Sequence, residues 1–338
     1  MKLEVSAGII RRADGSILVC KRGEGRRNAH LWEFPGGKRE QNETACACLE
    51  RELMEELHLP VTGVRPVCER EEEGIRFTFL SCRTEGEPVL TEHEEARFVS
   101  PRAMLALPFC PADEPVARAL ALNEPPLRHF FWDFDGTLMD TYPAMSRTLV
   151  RAAASLGVNV TTARALDLLK GCLADAISEV ARSGGVKRDE LEAAWRRENA
   201  LMDASALQPV RGIPQALARL SAMGGRHYLV THRDRSALDM LEKAGLMRYF
   251  TDAVTSEDGF ARKPAPDSCL HLLRRHAICP AEAVMIGDRP LDTAAGRAAG
   301  ILSCLLDEDG RFSQDGCELR AASALELPDV LCPALPGV

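Results

Sequence analysis

The sequence lacks the patterns of several common classes of protein. None of its twelve cysteines forms the paired Cys-x2-Cys spacing of a tetrahedral zinc site, so we expect free thiols that pack as small apolar groups. No apolar run approaches the roughly 20 residues of a membrane-spanning helix, which excludes a helical membrane protein. The N-terminus has no basic region followed by an apolar stretch, as a secretory signal would. A cytoplasmic location is therefore expected.

Positive charge is also scarce, since the formal net charge is −8. Binding of a nucleic acid polymer depends on neutralising its phosphates with Lys and Arg, so we expect no such partner. Single nucleotides and small phosphate esters stay possible, because bound cations can balance their charge.

The length predicts two domains. A chain of 338 residues exceeds what one ordinary hydrophobic core fills, and domains usually have roughly 100 to 200 residues. The segment Asn123-Glu124-Pro125-Pro126 ends a helical pattern with two prolines, which cannot continue a helix. We therefore predict domains at residues 1–124 and 125–338.

Hydrophobic periodicity predicts different folds for the two halves. In the first half, the pattern predicts a hairpin of strands near 3–10 and 16–21 and a helix from about Glu43 to Leu57. Two strands near 64–70 and 75–82 and two short helices near 101–107 and 113–122 follow. The second half begins with a buried strand at 129–132, continues with helical patterns over about 143–205, and then alternates strands near 226–231, 253–256, 283–287 and 302–305 with helices. That order predicts a doubly wound parallel sheet with a helical insertion. No motif marks residues 307–338.

Three glutamates on the predicted helix point to the first functional site. Glu52, Glu55 and Glu56 stand at i, i+3 and i+4 and therefore share one face, where they repel unless a cation lies among them. Carboxylate oxygens suit magnesium or manganese, which can bridge a polyphosphate and a water nucleophile. Glu55 and Glu56 are also candidate catalytic residues.

The surrounding pattern resembles the Nudix box. It reads Gly37-x5-Glu43-x7-Arg51-Glu52-Leu53-x-Glu55-Glu56, with His58 in place of the family's glycine at the end of the helix. The resemblance implies an α/β/α sandwich with a mixed sheet, and an Arg51–Glu43 pair that orients the helix. The missing glycine implies a left-handed cap made by histidine, at some cost in stability.

Neighbouring residues resemble MutT-type enzymes, which remove pyrophosphate from oxidised purine nucleoside triphosphates. The strings are Trp32-Glu33-Phe34-Pro35-Gly36-Gly37-Lys38 and Pro111-Ala112-Asp113-Glu114-Pro115-Val116. The resemblance implies a further metal ligand at Glu92, base packing by Phe34 and substrate contacts from the Gly36-Gly37-Lys38 loop. Asp113 replaces a purine-reading asparagine, and an ionised carboxylate only accepts hydrogen bonds. Arg22 and Arg27 are either phosphate contacts or solvated surface residues.

The second functional site is predicted where strands of the parallel sheet end. Asp133 follows the apolar run His129–Trp132, and Asp135 stands two residues further on. Ligands of open α/β sheets bind at this edge. Polar residues also follow or lie between later strands, in the order Thr231, Lys263, Asp288 and Asp292.

This series resembles the four motifs of haloacid dehalogenase-type (HAD) phosphatases of the kind with a helical cap, which phosphoglycolate phosphatases represent. The resemblance implies Asp133 as nucleophile, Asp135 as general acid and base, Thr231 and Lys263 as phosphate contacts, and metal ligation by Asp133, Asp135, Asp288 and Asp292. Gly136, Thr137, His232 and Arg233 are candidate substrate contacts, although Arg233 could equally be solvated. The helices at 143–205 correspond to the cap.

Both resemblances together predict a bifunctional hydrolase that depends on Mg²⁺, with Mn²⁺ as an alternative. The first domain would convert a nucleoside triphosphate to monophosphate and pyrophosphate, and the second would hydrolyse a phosphomonoester such as that monophosphate. Two alternatives stay open. The second domain could act on pyrophosphate or an unrelated small phosphate, or the first domain could sense a nucleotide and regulate the phosphatase. The oligomeric state is not predicted.

Overall fold

The structure is a computed structural model that describes residues 3–201 and 207–335. The chain divides into two compact units, residues 1–126 with 331–338, and residues 127–330. The first division lies two residues beyond the predicted boundary at 124. The end of the chain differs from the prediction, because Leu335 packs against the core of the first unit and Pro333 accepts a hydrogen bond from Asn123.

The first unit is built on a mixed sheet. Its strands are β1 (Leu3–Arg11), β2 (Ile17–Lys21), β3 (Trp32–Glu33), β4 (Gly36–Lys38), β5 (Thr62–Glu72), β6 (Ile75–Arg83) and β7 (Glu95–Val99). The main path runs β3-β2-β1-β6-β5, with β4 paired to β1 and β7 paired to β2. β1 and β6 are parallel, whereas β1 and β2 form the predicted antiparallel hairpin.

Two helices cover opposite faces of this sheet. On α1 (Ala45–Leu57), the apolar stripe Leu49, Leu53 and Leu57 packs on one face. On α2 (Glu114–Asn123), Val116 and Leu120 pack on the other face. The predicted α/β/α sandwich with a mixed sheet is therefore confirmed. The predicted helix at 101–107 is instead a 3-10 helix over Pro101–Ala106.

The second unit contains a six-stranded parallel sheet. In chain order its strands are β8 (His129–Trp132), β9 (Arg226–Val230), β10 (Phe250–Val254), β11 (Ala283–Gly287), β12 (Leu302–Leu306) and β13 (Leu319–Ala321), and in space they run β10-β9-β8-β11-β12-β13. The doubly wound prediction is confirmed. β10 lies two to three residues before its predicted position, and the short β13 was not predicted.

Helices on the sheet and in the insertion complete this unit. The insertion comprises α3 (Tyr142–Ala154), α4 (Thr162–Leu169), α5 (Leu173–Gly184) and α6 (Arg188–Ala200), which share a core of their own. Residues 202–205 of the predicted cap lie outside the described residues. The sheet helices are α7 (Ile213–Ala222), α8 (Ser236–Lys243), α9 (Asp267–Arg275), α10 (Pro290–Ala298) and α11 (Leu327–Leu331). Among the described helices, none is both long and apolar enough to span a membrane.

The residue after α1 has the conformation expected for the missing glycine. His58 has φ 49° and ψ 35°, and its backbone N–H donates to the Leu53 carbonyl. The helix therefore ends in the left-handed cap that the Nudix pattern implies, with a side chain in a region that costs most residues about 1–2 kcal/mol.

We predict that His58→Gly stabilises the protein, because glycine adopts this conformation without steric conflict. The free energy of unfolding of the first unit should rise by about 1 kcal/mol, measured by denaturant titration. His58→Ala is the control, since alanine stays strained. Equal stabilities of the two variants would contradict this explanation.

Candidate active sites

Arg51 organises the acidic face of α1. Its guanidinium contacts Glu43 at 3.0 and 3.1 Å, and both Glu52 and Glu55 at 3.0 Å. The hydrogen bond from Arg51 is the main reason that the pKa of Glu43 falls to about 2. Arg51 also donates to the carbonyl of Lys38, which links the helix to the loop before it. The Arg51–Glu43 pair is thus present, and Arg51 joins the acidic face of α1 to the preceding loop.

The two glycines of this loop let backbone and carboxylate approach closely. A Cβ on Gly36, at φ 151°, would lie 2.0 Å from the Ser6 carbonyl oxygen. A Cβ on Gly37 would lie 2.2 Å from the carboxyl carbon of Glu52. Since contacts below 3.0 Å require something to move, Gly37 keeps space for this carboxylate.

Glu56 is the most perturbed carboxylate of the helix. Burial and the negative charges of Glu52, Glu92 and Glu33 raise its pKa, His93 opposes them, and the net value is about 7. His93 Nε2 lies 3.9 Å from Glu56 and 3.2 Å from Glu33, and its side chain is only 6% exposed. Glu33 and His93 were not predicted as site residues, although they are sequence neighbours of Phe34 and Glu92.

The loop that carries Glu92 is attached to the end of α1. Thr91 donates hydrogen bonds from its backbone N–H and its hydroxyl to the Glu56 carbonyl. Glu92 is paired with Arg26, and Glu55 points outward with 59% of its side chain exposed. The predicted metal ligands of this site are Glu52, Glu55, Glu56 and Glu92. In the described chain, no three of them have ligand atoms that all lie within 4.8 Å of one another. They are hard oxygen donors of the kind that a divalent cation prefers.

Asp113 and Phe34 are joined in the interior. The Phe34 backbone N–H donates to Asp113 Oδ1 at 3.1 Å. Burial, then the charge of Glu33, raises the pKa of Asp113 to about 8, so the carboxyl is protonated at neutral pH. The Phe34 ring is 2% exposed and packs against Phe79 and Phe109 in the core. Its predicted role in base packing stays a prediction.

The remaining predicted contacts of the first site differ in their surroundings. Arg22 pairs with Glu33 and donates from Nε to the Arg27 carbonyl at 2.7 Å. The Arg27 side chain is 66% exposed and pairs with Glu73. Lys38 is exposed and pairs with β1 through its backbone. Of these three, only Arg22 is joined to the Glu33–His93–Glu56 network.

A buried ion-pair cluster forms the centre of the second site. Lys263 Nζ lies 2.5 Å from Asp133 Oδ1 and 2.6 Å from Asp292 Oδ1, and all three side chains are at most 3% exposed. Burial raises the pKa of Asp133, but the charges of Lys263 and Arg289 outweigh it and the net shift is downward. Asp133 is therefore ionised. Its other oxygen, Oδ2, has no hydrogen-bond partner among the described residues.

Asp288 lies beside this cluster and lacks an ion-pair partner in the described chain. It accepts hydrogen bonds from Thr137 at 3.0 Å and Tyr142 at 2.7 Å. Burial, then the charge of Asp133, raises its pKa to about 7. A Cβ on Gly136 would lie 2.5 Å from Asp288 Oδ2, so glycine keeps this approach open. Thr137 thus contacts Asp288.

These carboxylates fit a divalent cation. In the part of the chain that the structure describes, one set of three has a ligand atom from each within 4.8 Å of the others: Asp133, Asp288 and Asp292. Three carboxylates, Asp133, Asp288 and Asp292, lie here with two cations, Lys263 and Arg289, so this site is short of positive charge. Lys263 contacts one oxygen of Asp133 and one of Asp292, whereas Asp133 Oδ2 and the Asp288 carboxylate have no contact with a lysine among the described residues.

Three predicted residues after β9 are brought to the same edge. Arg233 Nη2 donates to Asp135 Oδ1 at 2.6 Å, and the side chain is 13% exposed, so it is not a solvated surface arginine. Thr231 is buried, and its hydroxyl accepts from the Arg233 backbone N–H. His232 Nε2 accepts from the Lys263 backbone N–H at 2.7 Å, and burial lowers its pKa to about 3. His232 therefore positions Lys263.

Arg289 is a site residue that was not predicted. Its Nη2 lies 3.6 Å from Asp133 Oδ2, and its side chain is 14% exposed. The one signal in the sequence is its place directly after Asp288. Its contact with Asp133 joins segments that are distant in sequence, which the sequence pattern does not indicate.

The two units therefore define a hydrolase with two carboxylate sites. Residues 2–120 match the NUDIX domain, and residues 130–306 match the haloacid dehalogenase-like hydrolase family. The chain belongs to both families. Members of both generally use divalent metals, which agrees with the carboxylates described above.

Relatives of each half are hydrolases. The CTP pyrophosphohydrolase of Escherichia coli K12 is 37% identical over 122 residues, which cover 35% of this chain and 90% of that protein. The 8-oxo-dGTP diphosphatase of the same organism is 33% identical over 129 residues, which cover 35% of this chain and 96% of that protein. The plasmid-encoded phosphoglycolate phosphatase of Cupriavidus necator is 28% identical over 216 residues, with 60% and 92% covered.

A solved structure supports the fold of the second unit. The HAD family hydrolase of Deinococcus radiodurans R1 has a TM-score of 0.51 and 23% identity, and the match covers 61% of this chain and 95% of that one. At this identity the likeness concerns the fold alone.

We predict that Gly37→Ala impairs the first site with little loss of stability. The new Cβ would displace the flexible Glu52 carboxylate, and misplacement by about 1 Å can reduce turnover on the order of 100-fold. For each variant, the rate of nucleoside triphosphate hydrolysis and the melting temperature would be measured. Gly316→Ala is the control, since a Cβ there meets no atom within 4 Å. Unchanged turnover of Gly37→Ala would contradict the role of Glu52.

Proposed function

We propose that the NUDIX domain hydrolyses a nucleoside triphosphate to monophosphate and pyrophosphate. The observation that carries this proposal is the acidic face of α1, where Arg51 holds Glu52 and Glu55 beside the partly buried Glu56. A carboxylate with the pKa of Glu56, about 7, can accept a proton from water near neutral pH. The E. coli relatives named as a CTP pyrophosphohydrolase and an 8-oxo-dGTP diphosphatase support the same reaction class.

The residues of this domain would divide the work. Glu52, Glu55, Glu56 and Glu92 would hold Mg²⁺, with Mn²⁺ as an alternative, and the ion would neutralise the polyphosphate and polarise the attacking water. Glu56 would take the proton of that water. Arg51 holds Glu52 and Glu55 on one face, and His93 lies between Glu56 and Glu33. Arg22 would contact phosphate after releasing Glu33.

Asp113 would read the base as a neutral acid. Its Oδ1 accepts from Phe34, and protonation lets the carboxyl also donate one hydrogen bond. A neutral carboxyl therefore offers the donor and acceptor of the asparagine that it replaces. The sequence-based expectation of a changed hydrogen-bond pattern assumed an ionised Asp113, and burial removes that assumption.

For the HAD domain we propose hydrolysis of a phosphomonoester, with the nucleoside monophosphate from the first reaction as the candidate substrate. Asp133 is buried and ionised, and its Oδ2 accepts no hydrogen bond from the described residues, which suits a nucleophile. Asp133 and Asp288 would hold Mg²⁺ together with Asp135, which stands two residues after Asp133 at the same strand end. The ion would neutralise charge at the phosphoryl oxygens.

The chemical steps use groups already in place. An Asp133 oxygen bonds to phosphorus as the ester P–O bond breaks, and Asp135 protonates the leaving oxygen. Asp135 then takes a proton from water, which attacks phosphorus and releases phosphate from Asp133. Lys263 and Arg289 balance charge beside Asp133, and Arg233 orients Asp135. Thr231 lies next to Arg233 at the same strand end.

A second candidate substrate is phosphoglycolate, because the Cupriavidus necator relative carries that name. Pyrophosphate hydrolysis by the HAD domain and nucleotide sensing by the NUDIX domain remain alternatives. Phosphate released from added pyrophosphate, and lost in Asp133→Asn, would identify the former. Nucleotide binding without turnover that alters the phosphatase rate would identify the latter. We also propose that the protein is cytoplasmic and that its partners are nucleotides and small phosphate esters.

Two variants should separate the two reactions. Glu56→Gln should lower triphosphate hydrolysis on the order of 10²- to 10⁴-fold, because it removes the base, while hydrolysis of p-nitrophenyl phosphate continues. Asp133→Asn should abolish hydrolysis of p-nitrophenyl phosphate while hydrolysis of the triphosphate continues. Glu50→Gln and Asp239→Asn, both exposed, are matched controls. Triphosphate turnover that survives Glu56→Gln, or ester turnover that survives Asp133→Asn, would contradict the assignment.

The protonation of Asp113 predicts a pH effect. As pH rises through about 8, the carboxyl ionises and loses its donor, whereas the amide of Asp113→Asn does not titrate. The ratio of wild-type to Asp113→Asn kcat/KM for one triphosphate should therefore fall between pH 7 and pH 9. Taking the ratio cancels the titration of Glu56, which both proteins share. A ratio independent of pH would show that Asp113 does not read the base as a neutral acid.

A further inference from the structure

The HAD domain contains a cavity of about 400 Å³ beside its metal site. Gly136 and Asp288 lie at the catalytic end, while Leu166 and Lys170 of the cap region lie at another side. Pockets for small molecules usually have roughly 300–1,000 Å³, so this space is large for a two-carbon leaving group.

One wall of the cavity is a loop beyond the part of the chain that matches the family. Residues 307–312 follow β12, and the matched region ends at 306. The Asp307 carboxylate fixes the loop by accepting from the backbone N–H groups of Arg311 and Phe312 and from the Arg320 guanidinium, at 2.7–3.0 Å. The wall is thus a built feature of this chain.

Most of the positive charge in the wall is already neutralised. Five carboxylates and three cations line the cavity. Lys170 pairs with Asp309, and Arg311 pairs with Asp167 at 2.8 Å and with Asp309 at 3.5 Å. In the described chain, Arg211 is the one lining cation without an ion pair.

Besides Asp288 at the catalytic end, two lining carboxylates lack an ion pair among the described residues, namely Asp140 and Glu308. Burial and the charge of Asp309 raise the pKa of Glu308, and Asp140 raises it further, whereas Lys170 and Arg211 lower it. Glu308 therefore lies near both Asp140 and Arg211. With one unpaired cation against two unpaired carboxylates, the wall has an excess of negative charge and of hydrogen-bond acceptors.

We propose that this cavity selects phosphomonoesters whose leaving group is uncharged and rich in hydroxyl or amino donors, and that it disfavours leaving groups with a carboxylate. Asp140 and Glu308 accept hydrogen bonds from such donors. A carboxylate such as that of glycolate meets like charge instead, because Arg211, the one lining cation without an ion pair among the described residues, lies near Glu308. This inference rests on the proposed phosphatase activity and names its substrate class. Nucleosides and sugars both have the required chemistry.

The test compares the specificity constants of the full-length protein for a deoxynucleoside 5′-monophosphate, ribose 5-phosphate and 2-phosphoglycolate, with p-nitrophenyl phosphate as a check for phosphatase activity. We expect 2-phosphoglycolate to be the poorest of the first three by about tenfold or more. A higher specificity constant for the deoxynucleoside 5′-monophosphate would identify a nucleoside as the leaving group, and a higher one for ribose 5-phosphate would identify a sugar.

Two variants address the cause. Glu308→Gln removes a repelling charge and Asp309→Asn frees Lys170, so each should raise the specificity constant for 2-phosphoglycolate relative to the better ester by about tenfold. Glu242→Gln, exposed on α8 and outside the cavity, should leave the ratio unchanged. Melting temperatures check that each variant is folded.

The outcomes separate this inference from the proposed function. Preference of the wild type for 2-phosphoglycolate would overturn the inference and leave the phosphatase intact. An unchanged ratio in both cavity variants would also overturn it. No hydrolysis of any ester, p-nitrophenyl phosphate included, would overturn the proposed function and the inference together.

Discussion

The ion pair of Lys263 with Asp133 and Asp292 is the interaction on which the second unit depends. Charges that are almost fully buried are costly unless each has a close partner of opposite sign. Asp133 follows β8 and Asp292 lies on α10 after β11, and these two strands are neighbours in the parallel sheet. The strand order therefore brings the charges together, and their mutual compensation fixes an ionised carboxylate whose second oxygen accepts no hydrogen bond from the described residues.

The first unit obeys the same constraint with weaker burial. Arg51, Arg26 and His93 balance the glutamates of α1 and Glu92 from three different segments. Burial and neighbouring negative charges raise the pKa values of Glu56 and Asp288. These are the positions where a divalent cation would have the largest effect. Both folds thus place several carboxylates at one site, closely grouped in the second unit and more widely spaced in the first.

Much of this could be predicted from sequence because the patterns are periodic. Helical spacing places Glu52, Glu55 and Glu56 on one face, and strand ends place Asp133, Asp288 and Thr231 at one edge. Strands such as β3 and β13 have two or three residues and no period to detect. The contacts of His93 and Arg289, the burial that protonates Asp113, and the loop at 307–312 arise from tertiary packing of distant segments. Local patterns do not include that information.

The central claim is that one chain performs two successive hydrolyses. The most direct measurement incubates the full-length protein and Mg²⁺ with 8-oxo-dGTP, dGTP or CTP and resolves nucleotides, nucleoside, pyrophosphate and phosphate over time. The account predicts a monophosphate that rises and then decays to nucleoside as phosphate appears, with pyrophosphate persisting. Monophosphate that accumulates without decay, in a protein that hydrolyses p-nitrophenyl phosphate, would contradict the coupling of the two reactions.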